Sequence, residues 1–542
     1  MSIAMTGRAF EIRGVLFDFD GTLTGPGAHQ WQGLREKIGC PPGTGVLEFI
    51  EAIADAEQRR STDAELVAFE EMAAARSTPA EGAVSLVQAL RRRNLPVGIL
   101  TRNSRRSVET ALARFDGLCV ADFDPVITRE TPVTPKPAPE GVHYAARRWG
   151  IDAEQVLVVG DYVYDIESGR RAGAVTVLLA TSERPGMASA APDFRIRSLS
   201  QVLDVVRLGT PIGGGKLPND LLAAFFDEYP TADPDLLVPP GVGQDTAAVA
   251  LGGDQVLVLK SDPITFVTDA VAEYAVVVNA NDVATSGATP RWLLTTLLFA
   301  PGSTPSQIRR VMADLQEVCR RRGIALCGGH TEITDAVTRP VVTGMLCGVV
   351  RKDRIIDKRN MRAGDRIVMT KRVAVEGTAI IAREFKDRLI RAGVSEQTVA
   401  AAAGFLSDIS ILKEARIAAD AEGVSAMHDV TEGGLATAAE ELSTAGGRGL
   451  RLRTDRIPVF DETAVICRAV GIDPMGLIGS GTLLIACRPN HVERLLADIR
   501  SAGIEATIIG EVLAPPRGIE SVGADGPTIW PVFEADELTR LF

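Results

Sequence analysis

Short apolar runs that stop abruptly at polar residues recur along this chain. In the first two hundred residues, Val15–Phe17, Pro96–Leu100, Val156–Gly160 and Val175–Leu179 have strand length and carry no polar face. Continuous apolar runs of this kind mark strands covered on both sides, as in a parallel sheet. Phe123–Ile127 is a further strand candidate. Residues 26–95 are instead rich in Ala, Glu, Arg and Leu and predict helices, among them Asp63–Ala75 and Glu81–Asn94. Ser104 or Asn103 is placed to cap a helix after the second strand, and Leu199–Leu208 predicts an amphipathic helix. Further on, Val256–Leu259 and Ile324–Leu326 predict strands, and Val276 onward predicts a helix. The alternation predicts an α/β class.

Five hundred and forty-two residues exceed one hydrophobic core, so several domains are expected. The pattern changes at Gly209-Thr210-Pro211-Ile212-Gly213-Gly214-Gly215-Lys216, a run of turn formers that places a boundary near 208. This run suits a plain linker, or an arm that closes over phosphates with Lys216; it lacks the GxxxxGK[ST] spacing of a phosphate-binding loop. The expected units are 1–208, with a helical insertion over 26–95, then a linker and helix over 209–239, then 240–350 and 351–542. A net charge of -12 argues against nucleic acid as a partner. Seven cysteines without a CxxC pair, no signal-peptide pattern and no membrane-length apolar run predict a reduced, cytoplasmic protein.

The chemistry gathers where the apolar runs end. Val15-Leu16-Phe17 leads into Asp18 and Asp20, two residues apart and so on one side of an extended chain. Carboxylates this close need a cation or a shared proton, and Mg²⁺ is the hard, oxygen-seeking ion that suits them. The next strand ends at Thr101. Lys136 follows inside Thr134-Pro135-Lys136-Pro137-Ala138-Pro139, where prolines stiffen the segment. The Val156–Gly160 run ends at Asp161, with Asp165 four residues later, where a helix is expected to begin.

This succession of DFDGT, ILTRN, TPKPAP and GDYVYD resembles the four ordered motifs of the haloacid dehalogenase superfamily of phosphohydrolases. The resemblance implies a Rossmann-like domain with a helical cap of the phosphoglycolate-phosphatase-like type. It implies Asp18 as the nucleophile that forms an aspartyl-phosphate and Asp20 as general acid and base. Asp161 and Asp165, with Asp18 and Asp20, would hold Mg²⁺, and Thr101 and Lys136 would bind the phosphoryl oxygens of a small phosphorylated metabolite.

The second half repeats the device. Asp245 follows a glycine turn, Asp262 ends a strand, and Asn279 and Asp282 share a predicted helix. Gly328-Gly329-His330-Thr331-Glu332 reads as a glycine turn with a polar cluster, and Asp429 precedes a glycine pair. His330 and His428 each also fit an ordinary buried, hydrogen-bonded role. Four separated acids would make an oxygen-only site for more than one Mg²⁺ on a nucleotide polyphosphate. GVGQDTAAV, LKSDPIT, NANDVATSGATP, GGHTE, GDRIVMTK and HDVTEGGL resemble the PurM-like superfamily of ATP-using enzymes, which includes the aminoimidazole ribonucleotide synthetases and the HypE-type hydrogenase maturation proteins. GGGKLP and VAVEGTAI point toward the HypE-like members. The resemblance implies an α+β domain with a dimer-forming N-terminal half and an α/β C-terminal half, and hence a homodimer. It implies Asp245, Asp262, Asp282 and Asp429 as Mg-ATP ligands, with Asn279, Gly328, Gly329, His330, Glu332 and Lys216 at the nucleotide.

HypE proteins carry their reacting group on a terminal Cys, and no Cys follows Cys487 here. The expected function is therefore a Mg²⁺-dependent phosphatase fused to an ATP-dependent phosphotransferase or ligase of another acceptor. The alternative is a phosphatase fused to a nucleotide-binding or assembly module without turnover.

Overall fold

A computed structural model describes residues 9–25, 31–41, 44–180, 191–212, 217–228, 233–265, 267 and 270–542. The chain forms two compact units, Met1–Ile212 and Gly213–Phe542.

The first unit is built on six parallel strands: β1 (Gly14–Phe17), β2 (Val97–Leu100), β3 (Val126–Ile127), β4 (Val156–Gly160), β5 (Val175–Leu179) and β6 (Phe194–Ile196). Their order is β3-β2-β1-β4-β5-β6, with every pairing parallel. The order reverses beside β1, so the carboxyl ends of β1, β2 and β4 flank one crevice. Apolar side chains point both ways from these strands. Val15 and Phe17 join one core cluster, and Leu16 joins a second. That is why the sequence shows unbroken apolar runs.

Ser104 caps the helix Arg105–Leu112, accepting from Ser107 N at 3.2 Å. The helix expected from Asp63 starts earlier, at Ala56, because Asp55 caps it by accepting from Gln58 N at 2.7 Å. Leu34, Cys40, Val46, Ile50 and Leu66 form a small separate core. The helix Ala83–Arg92 packs its Ala83, Leu86, Val87 and Leu90 into the main core instead. The insertion with its own core therefore ends near Ala75, short of residue 95. Two further differences are local. The Phe123–Ile127 strand shrinks to Val126–Ile127. β6 was not foreseen, because it is three residues long with an exposed Arg195 at its centre.

The second unit has two sheets. The first holds β7 (Leu236–Val238), β8 (Ala247–Ala250), β9 (Gln255–Ile264), β10 (Thr289–Phe299), β11 (Ala325–Ile333) and β12 (Val341–Arg351), in the order β11-β10-β12-β9-β8-β7. The second holds β13 (Arg366–Thr370), β14 (Val424–Asp429), β15 (Gly449–Arg453), β16 (Leu483–Cys487), β17 (Ala506–Val512), β18 (Gly518–Gly523) and β19 (Gly526–Thr528), in the order β14-β16-β13-β17-β15-β18-β19. This second sheet is mostly antiparallel; β15 and β18 alone pair in parallel. The helix Val271–Thr285 is buried on all sides. It packs on β9 and β12 of the first sheet and on β14 of the second. An all-round apolar helix belongs in such a sandwiched position. No helix among the described residues is long and apolar enough to cross a membrane.

The helix Gly434–Gly446 starts from a tight approach. Gly434 has φ +64°, and a Cβ there would lie 2.4 Å from Met475 O and 2.8 Å from Leu477 N. Backbone cannot withdraw as a flexible side chain can. Gly434→Ala should therefore destabilise the second unit by roughly 1–3 kcal/mol, read as a lower denaturant midpoint for that unit with an unchanged slope.

Candidate active sites

In the first unit, Asp18 lies just past β1 and Asp161 just past β4. Asp165 is in the first turn of the helix Val163–Arg171, where its Oδ2 accepts from Tyr162 N at 3.0 Å. Asp18, Asp161 and Asp165 each offer an oxygen, and these atoms lie within 4.8 Å of one another. Lys136 reaches into this group, its Nζ 2.5 Å from Asp18 Oδ1 and 2.6 Å from Asp165 Oδ1. All four side chains are buried.

The carboxylate of Asp20 is not part of that trio. Its Oδ2 accepts from Asn103 Nδ2 at 2.5 Å. Thr101, buried at the end of β2, accepts from Asn103 N at 3.1 Å. Asn103 thus ties the Asp20 side chain to the Thr101 strand end, a role that no spacing in the sequence announces. Glu70 from the insertion stands near Asp20 and is held by Arg129 at 2.6 Å.

Burial pushes the Asp18 carboxyl well above its ordinary value, against the pull of Lys136. Burial and then Glu70 push Asp20 up to about 7. Burial also presses on the Lys136 ammonium, but Asp165 and Asp18 outweigh it and hold its pKa above the usual lysine range. One ammonium among these acids leaves negative charge uncompensated. An oxygen-only donor set of this kind fits a hard divalent cation.

In the second unit, Lys260 and Asp262 project from the same side of β9. Lys260 Nζ lies 3.1 Å from Asp262 Oδ2 and 3.1 Å from Asp282 Oδ2. Asp245 accepts from Lys358 Nζ at 2.6 Å and from Thr285 Oγ1 at 3.1 Å. His428 Nδ1 lies 2.9 Å from Asp245, and its Nε2 lies 3.2 Å from Glu441 Oε2. Asp245, His428 and Asp429 also bring one ligand atom each within 4.8 Å. Both His428 ring nitrogens face carboxylates, which favours its protonated form. Burial opposes this, but Asp245 raises its pKa. In return His428 and Lys358 carry Asp245 below the usual carboxylate range despite burial.

Asp429 lacks that help. Burial and the Asp245 charge push it up to about 7, and neither of its oxygens meets a donor among the described residues other than the carboxyl of Asp282. Asp282 is likewise raised by burial and by Asp429. The four acids thus converge, and Asp282 and Asp429 are pushed toward protonation despite the pull of Lys260. That again fits a divalent cation, here beside a cavity of about 580 Å³ lined by Gln244, Asp245, Lys260, Asp262 and Asp282. This volume suits a nucleotide-sized ligand.

The other expected residues fall elsewhere. Asn279 is fully buried; its Oδ1 accepts from Asp262 N at 3.0 Å and its Nδ2 donates to Ala275 O at 2.9 Å. It holds the Asp262 strand against the helix rather than lining the cavity. Gly328, Gly329, His330 and Glu332 belong to β11, an extended edge strand, not a glycine turn. A Cβ on Gly329 would lie 1.8 Å from Thr295 O, so this glycine serves the close packing of β11 on β10. The side chains of His330 and Glu332 are 69% and 53% exposed, and none of these four residues lines the cavity. Lys216 lies outside the described residues. Lys260 was open to discovery, because it stands two residues before Asp262 in a strand. Lys358, His428 and Glu441 join the site from far along the chain.

Residues 12–173 match the model for haloacid dehalogenase-like hydrolases. Residues 243–350 and 362–523 match those for the N-terminal and C-terminal domains of AIR synthase related proteins. Carbamoyl dehydratase HypE of Escherichia coli is 27% identical over 322 residues, covering 58% of this chain and 92% of that protein. HypE of Cupriavidus necator is 29% identical, covering 51% of this chain and 78% of its own. An uncharacterized hydrolase of Saccharomyces cerevisiae is 28% identical over 201 residues, covering 36% of this chain and 92% of that one. The crystal structure of Escherichia coli HypE, at 24% identity, covers 59% of this chain and 99% of its own with a TM-score of 0.46. The chain therefore joins a haloacid dehalogenase-like hydrolase domain to the N-terminal and C-terminal domains of an AIR synthase related, HypE-like protein.

Proposed function

We propose that this chain is a bifunctional phosphoryl-transfer enzyme. Its first unit is a Mg²⁺-dependent phosphatase of a small phosphorylated metabolite. Its second is an ATP-dependent phosphotransferase or ligase. The observation that carries the reading is the double convergence of carboxylates on a lysine, the buried Asp18 and Asp165 on Lys136 in one unit and the half-buried Asp262 with the buried Asp282 on Lys260 in the other.

In the first site Asp18 attacks phosphorus and carries the phosphoryl group. Asp20, steered by Asn103 and with its pKa raised to about 7, gives its proton to the leaving oxygen and then takes one from water. Lys136 and the Thr101 hydroxyl bind the phosphoryl oxygens. Asp18, Asp161 and Asp165 would hold the Mg²⁺, which screens phosphoryl charge as it transfers. In the second site Asp245, Asp262, Asp282 and Asp429 would hold Mg-ATP.

A second copy of the chain completes the assembly in this proposal. Outward rows of β10, β12 and β9 place Cys347 between Trp292 and Leu259, and Leu294 beside Met345. Leu294 and Met345 are 40% and 44% exposed. A sheet face carrying such exposed apolar side chains is suited to burial against its own copy.

Three outcomes are expected. Asp18→Asn should cut phosphate release from a phosphomonoester panel by more than about 10³-fold, with its melting temperature kept; unchanged release would remove Asp18 as nucleophile. MgATP at about 100 times its Kd should stabilise the second unit by roughly 3 kcal/mol, and Asp262→Ala should abolish most of that shift. Met345→Glu should turn a dimer into a monomer in sedimentation velocity; a wild-type monomer would sink the homodimer.

A further inference from the structure

The second unit holds a smaller cavity, of about 220 Å³, that shares no lining residue with the acid-lined one. Three elements supply its walls. One is the chain that leaves the helix Val271–Thr285 and enters β10, one is the stretch after the helix Pro305–Arg321, and one is the helix Leu412–Asp420. Leu412, Ala415, Arg416 and Ala419 are spaced by three and four residues, so the last helix turns one face to the cavity. Ala284, Ala288, Pro290 and Ile324 make the opposite walls apolar.

Contacts outside the cavity hold these walls apart. Asn281 is fully buried on the helix Val271–Thr285. Its Nδ2 donates to Ile409 O at 2.8 Å, and its Oδ1 accepts from Ile411 N at 3.0 Å. The two bonds clamp the chain that leads into the helix Leu412–Asp420. Arg322 is tied to the same central helix, its Nη2 2.5 Å from Glu273 Oε1, and its Nη1 donates to Ser410 Oγ at 3.3 Å. All three walls thus share one anchor, and none of these bonds needs an occupant. The cavity is preformed, as ligand sites usually are.

Its charge is the reverse of that around the acids. Arg322 and Arg416 line it, and among the described residues no carboxylate does. Each arginine shares its acid with another. Glu273 takes Arg321 at 2.8 Å as well as Arg322. Asp420 takes Arg354 at 3.7 Å as well as Arg416 at 2.9 Å. Arg416 and Thr289 are both exposed and stand together, Arg416 Nη1 reaching Thr289 Oγ1 at a long 3.4 Å. The guanidinium edge and the threonine hydroxyl therefore offer donors side by side at the rim. A flat pair of oxygens matches that edge. A phosphate dianion would bring three oxygens to this short donor set and leave some unbonded. A dry apolar cavity of about 150 Å³ is enough to hold benzene, so the interior here admits a body of that size.

We propose that this cavity binds a small carboxylate with a compact apolar body. Arg416 and Thr289 hold the carboxylate at the rim, and the body lies among Ala284, Ile324, Leu412 and Ala415. The site stands apart from both phosphoryl-transfer sites and does not depend on the ATP reading.

The test titrates benzoate, benzamide and phenyl phosphate into the full-length chain and follows them by saturation-transfer NMR. The chain carries Asp18→Asn, so that the first site leaves phenyl phosphate intact. Benzoate should bind with a Kd of roughly 1 mM. Benzamide, which lacks the charge, and phenyl phosphate should each bind about tenfold more weakly. Arg416→Gln should weaken benzoate by about tenfold. Ala419→Phe, which fills the cavity from a half-buried position, should abolish the signal. The exposed Arg416→Gln variant should melt within about 4 °C of the parent, and it decides the matter alone if Ala419→Phe does not fold. MgATP should leave benzoate bound. No saturable benzoate signal up to about 20 mM overturns the proposal. So does benzamide or phenyl phosphate binding as tightly as benzoate, or displacement of benzoate by MgATP. Benzoate affinity within about threefold of the parent in Arg416→Gln, or in folded Ala419→Phe, overturns it as well.

Discussion

Repulsion between buried carboxylates is the constraint from which both sites follow. A carboxylate taken out of water is costly, and several together cost more unless a cation stands among them. The first unit gathers Asp18, Asp161 and Asp165 around Lys136. The second gathers Asp262 and Asp282 around Lys260, and Asp245 between Lys358 and His428. In neither place do the fixed cations balance the acids. The surplus is visible where Asp18, Asp282 and Asp429 are all driven toward protonation. Such surplus is relieved by a shared proton or by a cation that enters the pocket.

The two units reach this state by different architectures. In the parallel sheet, the strand ends supply the acids, since adjacent strands deliver their carboxyl ends to one edge. In the second unit, Asp262 projects from a strand, Asp282 from a helix buried on all sides, and Asp429 from the end of β14 in the other sheet. Asn279 makes that arrangement rigid. It bonds the backbone of Asp262 from the same helix that carries Asp282, so two acids on different elements keep one spacing.

Much of the parallel sheet was legible because each buried strand is an unbroken apolar run with a polar stop. β6 was not, since three residues with a solvent-facing Arg195 carry no such signal. The acids were legible for the same reason as the strands that bear them. Their partners were less so. Lys260 follows from the period of two along β9. Lys358 and His428, however, reach Asp245 across 113 and 183 residues of chain, and local spacing holds no record of such contacts. The glycine pair at 328–329 shows the opposite failure. Two adjacent glycines suggest a turn, but here Gly329 is small because β11 crowds Thr295 of β10. Asn279 was assigned to the ligand, whereas full burial gives it to the backbone.

The central claim is that each unit holds its own divalent cation through its own carboxylates. Titration of the metal-free chain with Mn²⁺ in the presence of a non-hydrolysable ATP analogue, followed by electron paramagnetic resonance, tests it most directly. The account predicts two separable classes of bound Mn²⁺ per chain. Asp161→Ala should remove one class alone, and Asp282→Ala should remove the nucleotide-dependent class alone. A single class, or loss of both classes from either substitution, would contradict it.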